Sequence, residues 1–147
     1  MLHDIYGNAL STRSPEAQAA FDLALRQIRT LHGDPIATLD AALDHDPRFG
    51  LAWITRAIVL AQVTDRMFEG EIARSLREAH ACRLDAREQA HAGAARSWAE
   101  GRFREGAMAF ARISREAPRD LLAVQNAHVG CFFIGAQFEL RADEKAA

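Results

Sequence analysis

Four side chains in this sequence could together do chemistry: Glu88, His91, His128 and Cys131. Glu88 and His91 stand in Glu-x-x-His spacing, which on a helix sets a carboxylate and an imidazole on one face. Di-iron bundles draw two of their ligands from that pattern. Such a centre needs a second Glu-x-x-His and two further glutamates, whereas the chain offers Gln125-x-x-His128, with Cys131 one turn later. Glu88 also follows Asp85 by three residues, the spacing of a capping box, in which its carboxylate accepts from a backbone N–H. His91 and His128 are therefore expected to be hydrogen-bonded packing residues. The alternative is a helical metal-binding protein or enzyme using the His91/His128 neighbourhood. No catalytic residue, metal or cofactor is assigned, because the glycine-rich phosphate loops, the His-Glu-x-x-His zinc motif and the Gly-x-Ser-x-Gly elbow do not occur.

Those side chains need helices to hold them. Of 147 residues, 49% are hydrophobic and 26% charged, with a formal net charge of -2. That is globular composition, with enough chain to bury a core and no basic block for nucleic acid. Cys82 and Cys131 are 49 residues apart, which suits reduced thiols better than a disulfide framework. The N-terminus lacks a signal-peptide pattern, and the apolar stretch near Val129–Ala136 is far too short to span a membrane. A cytoplasmic protein is expected, with no membrane partner.

Helix starts are marked by Ser14-Pro15, Asp34-Pro35 and Asp85 with Glu88. A capping side chain accepts from orphan N–H groups, and proline lacks the N–H that would be orphaned at the first position. Stops are marked by His32-Gly33, Asp46-Pro47, Glu100-Gly101 and Ala117-Pro118. Seven helices follow, near 15–31, 35–45, 49–63, 67–83, 86–100, 103–116 and 120–138. Apolar stripes recur at helical spacing, as in Phe21, Leu25 and Ile28 or Phe103, Ala107, Phe110 and Ile113. Short connections predict antiparallel hairpins. The charged runs Arg74–Glu78, Arg112–Glu116 and Arg141–Lys145 read as solvated faces.

Pro47 and Pro118 close two short helices 71 residues apart, with Leu84-Asp85 at the equivalent turn between them. A two-helix unit near 34 residues is the tetratricopeptide period. Trp53, Ala57 and Leu60, then Ala79, then Ala94, Phe110 and Pro118 fall at that superfamily's signature positions, with Gly106 where alanine is usual. The sequence thus resembles the tetratricopeptide-repeat superfamily. Stretches such as TRSPEAQAAFDLAL, HGDPIATLDAALDHDPRF and PRDLLAVQNAHVGCFFIG are similar to the opening of the tetratricopeptide repeat protein 38 family. The resemblance implies an all-α, right-handed helix-hairpin solenoid as one helical-repeat domain over 1–147. Its units would be 16–49, 50–86 and 87–120, with a terminal helix 120–138. Members of that family are several times longer, which implies a chain corresponding to the N-terminal part of a longer array.

First helices of successive units line a solenoid's concave face. The resemblance puts Leu51, Ile54, Ile58, Glu88, His91, Trp98, Gln125, Val129 and Phe132 there. The expected function is a protein–protein interaction scaffold binding a peptide or partner helix on that face, with Trp98 as the aromatic anchor. Phe132 and Phe133 are otherwise expected to pack on helix 103–116. Apolar residues from Leu121 to Phe138 spread around most of the last helix, which predicts self-association there or an N-terminal segment folding over it.

Overall fold

Seven α-helices follow one another in the computed structural model, which describes residues 1–134. They are α1 (Pro15–Thr30), α2 (Pro35–His45), α3 (Gly50–Val63), α4 (Glu69–His80), α5 (Ala86–Ala99), α6 (Phe103–Glu116) and α7 (Leu121–Ile134). A 3-10 turn at Arg66–Phe68 leads into α4. The expected extension of the last helix to 138, with Phe138, and the charged run Arg141–Lys145 lie outside the described residues, as do the side chains of Phe133 and Ile134. No described helix is long and apolar enough to cross a membrane.

The helix starts form where capping chemistry requires. Ser14 accepts from Ala17 N, Asp34 accepts from Ala37 N, and Asp85 and Glu88 complete a reciprocal capping box. Each satisfies N–H groups that a helix start would otherwise leave orphaned. Asp120 caps α7, its Oδ1 accepting from Ala123 N at 3.1 Å. Successive helices α1–α2, α3–α4, α5–α6 and α6–α7 pack most extensively, α3 also packs on α5, and α1 meets α7.

One apolar cluster runs from Leu10 to Cys131. Phe21 and Phe49 stack at 5.0 Å in the first half. Trp53 donates Nε1–H to Pro47 O at 2.9 Å, with the Arg74 guanidinium 5.2 Å above its ring. In the second half Trp98 meets Phe110 nearly edge-on at 5.0 Å. Two glycines make room for that indole: a Cβ on Gly106 would come within 2.2 Å of Trp98 Cδ1, and one on Gly130 within 2.7 Å of Ala107 Cβ. Position 106 thus has no room for a Cβ, because the helices close over tryptophan.

Residues 1–14 precede the first helix and form a strap across the helix ends. Leu10 N bonds Leu2 O, His3 pairs with Ala9 in an isolated bridge, and Asp4 accepts from Tyr6 N and Asn8 N at 2.9 Å. Leu10 and Thr12 are buried, so the strap contributes to the core.

Candidate functional site

Buried charge collects where α5 and α7 begin. His91 and Asp120 are fully enclosed, and His91 Nε2 lies 2.7 Å from Asp120 Oδ2. An ionised carboxylate only accepts, so Nε2 carries the proton. Arg87 reaches the same oxygen at 2.9 Å and Ala9 O at 3.1 Å. Burial alone would raise the Asp120 carboxyl. Hydrogen bonding and charge from His91, then Arg87, outweigh it and hold the group at about 2. Glu88, also buried, accepts from Ser11 Oγ at 2.8 Å and Asp85 N at 3.1 Å. Here desolvation prevails and pushes the carboxyl above its usual range.

Among the described residues His91 Nδ1 is buried without a hydrogen-bond partner, and the ring faces Phe110 at 5.8 Å. A general base must reach substrate, and this nitrogen has no opening. His128 is exposed, in a separate depression beside Ser114, Arg115 and Pro118. The expectation of a buried, hydrogen-bonded His128 is therefore corrected, and His91 and His128 do not share a site. Cys131 is buried, while burial raises the Cys82 thiol above its ordinary value. Among the described residues, no three His, Cys, Asp or Glu side chains are grouped so as to hold a metal ion.

An open cleft lies elsewhere, between α1 and α7. Its volume is about 420 Å³, and Leu25, Ile28, Leu31, Leu121, Leu122, Val124 and Val129 line it with Tyr6, Arg29 and Gln125. Gln125 Nε2 donates to Ile28 O at 3.0 Å and ties the two helices. Arg29 donates to Tyr6 Oη at 2.8 Å, fixing the strap's aromatic ring as one wall. Leu121, Gln125 and Val129 recur at helical spacing, and Phe132, 75% exposed, falls next on the same stripe. At the rim stands Leu31, 89% exposed and in the left-handed region at φ 54°.

The nine residues expected on one concave face therefore divide. Gln125 and Val129 line the cleft, and Phe132 is open to solvent rather than packed on α6. Leu51, Ile54, Ile58, His91 and Trp98 are interior and cannot touch a partner without local opening, while Glu88 is buried under the N-terminal strap, where Ser11 meets it. For α3 the reason is visible in its composition, since a helix with only Thr55, Arg56 and Gln62 among apolar residues and glycine presents apolar surface in nearly every direction and is enclosed accordingly. For Trp98 it is the glycine gap, and its Nε1–H is already satisfied by Phe103 O at 3.3 Å. The residues that sequence reasoning missed are Leu31, Tyr6, Arg87 and Asp120. Only Asp120 carried a local signal, as an aspartate three residues before Ala123 at a helix start.

No family model matches the sequence, and no solved structure matches the chain. The tetratricopeptide resemblance rests on the period and residue types of the sequence.

Proposed function

We propose that the chain is a tetratricopeptide-like, right-handed helix-hairpin scaffold that binds an amphipathic helix of a partner protein in the cleft between α1 and α7. Leu31 carries this reading. A leucine in left-handed backbone costs roughly 1–2 kcal/mol relative to glycine's free access to that region. Exposed, it gains nothing from the core in return. Its position at the rim of an apolar cleft gives it a use when a partner covers it. The stripe from Leu121 to Phe132 extends roughly 16 Å along the helix axis, which suits three turns of a partner helix better than a compact small molecule. The outer positions are aliphatic or aromatic, the anchors that helix-in-groove recognition employs.

Peptides of about 15 residues, four helical turns, can be selected by display against the immobilised protein. Selected sequences are expected to carry bulky apolar residues at helical spacing. They should lose at least about tenfold in affinity for Leu31→Asp and for Val129→Asp, a loss of 1.4 kcal/mol or more, while circular dichroism of both variants stays unchanged. Binders indifferent to both substitutions would refute the cleft as the site.

A further inference from the structure

The strap of residues 2–12 is held in the way a protein holds a bound peptide. Scaffold side chains reach its main chain at three points. Gln18 Nε2 donates to His3 O at 2.5 Å, Asp22 Oδ1 accepts from Ile5 N at 2.9 Å, and Arg87 Nη2 donates to Ala9 O at 3.1 Å. One residue past the last of these contacts, Leu10 is inserted into the core. Its small polar side chains then meet the turns between successive hairpins. Thr12 Oγ1 donates to Asp46 at 2.5 Å, Ser11 Oγ to Glu88 at 2.8 Å, and Asn8 Nδ2 to Arg119 O at 3.1 Å. Main-chain contacts give affinity without reading sequence, and one apolar anchor with flanking hydroxyls supplies selectivity.

From this geometry we infer that the edge built by Gln18, Asp22, Asp46, Arg87 and Glu88 is a peptide-binding site; it shares none of these residues with the α1–α7 cleft, which only the occupant's Tyr6 touches. Residues 2–12 are its resident occupant. The external partner it fits is an extended peptide with a leucine followed by two hydroxyl residues, preceded by a tight loop closed by an aspartate. The tether keeps the resident at high effective concentration, so an external peptide competes only when the strap is out. Apparent affinity for such a peptide is the intrinsic affinity reduced to the fraction of chains whose edge is vacant.

A peptide copying residues 1–13 with a fluorophore at its C-terminus is the probe, and anisotropy with the full chain is the readout. Leu10→Asp removes the resident's anchor and is expected to raise the protein's affinity for the probe at least tenfold over wild type. Adding Arg87→Ala to that protein, or making Leu10→Asp in the probe, is expected to abolish the gain. Ile5→Pro removes one main-chain donor and leaves the core leucine in place. It decides the matter with the same assay should Leu10→Asp not fold, with a gain of about threefold expected. A folded variant of either kind that binds the probe no better than wild type overturns the inference, as does a gain that survives loss of Arg87. Leu31→Asp is expected to leave probe binding unchanged, which separates this result from the fate of the cleft reading.

Discussion

Helices α5, α6 and α7 are joined in two different ways at two places along their length. Near the starts of α5 and α7 the joint is polar: Arg87 and His91 converge on Asp120, and Glu88 ties in the strap through Ser11. Farther along, the joint is a single indole closed in by Phe110, Gly106 and Gly130. Apolar packing is indifferent to alignment until shapes interlock, and its contribution scales with area and with voids avoided. A buried ion pair adds little net stability over an apolar replacement, yet losing one partner leaves the other stranded. The contrast teaches that the tryptophan joint supplies the larger stability, while the charged joint fixes which turn meets which.

The largest effect that would break this contrast is at the indole. Trp98→Ala should cost about 3–5 kcal/mol, because α6 and α7 are shaped to a ring no longer present; urea melts at neutral pH measure it. At the charged joint, Asp120→Ala should cost about 3 kcal/mol, since it strands Arg87 and His91 and removes the α7 cap. If it costs more than Trp98→Ala, the division of roles stated above is wrong. Acid sharpens the comparison. Asp120 is held at about 2 against an ordinary value of 3.8, so its stabilisation is present above the higher value and lost as pH falls through the lower. The stability gap between wild type and Asp120→Asn should narrow by roughly 2 kcal/mol between pH 5 and pH 2, while the gap for Trp98→Ala stays level. Glu88 works oppositely: its raised value means folding favours the neutral acid, so its contribution improves as pH falls through that value. A smaller loss is expected for Gly106→Ala, about 1 kcal/mol net, as overpacking against Trp98 exceeds the gain in helix propensity. Smallest is Leu31→Gly, outside both joints, which should raise stability by about 0.5–1 kcal/mol by relieving the left-handed leucine; thermal melts detect it.

Features governed by local rules could be read from the sequence. Ser14, Asp34 and Asp85 begin helices because capping acts over three residues, and the expected starts, with the stops before α7, fell within a few residues of the described boundaries. Contacts between distant residues left no such mark. His91 meets Asp120 across 29 positions, and no spacing rule relates them. An N-terminal segment over the last helix is one of two alternatives that helix's apolar spread suggests. The strap's own contacts leave no mark, because residues 1–13 have neither helical nor strand periodicity and Leu10 between Ala9 and Ser11 does not announce burial. Leu51, Ile54 and Ile58 are enclosed although repeat register puts them on one helix face, because exposure depends on what else covers that face. Thr55 and Arg56 complete α3's enclosure. Thr55 returns its hydroxyl to Leu51 O at 2.7 Å, and Arg56 is met by Asp40, Glu71 and Ser75.

The strap also has an order in time. His3 and Ile5 meet Gln18 and Asp22 within 17 residues, but the side-chain contacts reach ever farther down the chain: Thr12 finds Asp46 at a separation of 34 residues, Ser11 finds Glu88 at 77, and Asn8 finds Arg119 at 111. Synthesis runs from the N-terminus at about 5–20 residues per second. Residues 2–12 are therefore translated before the scaffold but complete their docking only after the α6–α7 turn has emerged, several seconds later. A segment translated ahead of the scaffold thus completes its contacts last, once the third hairpin is in place.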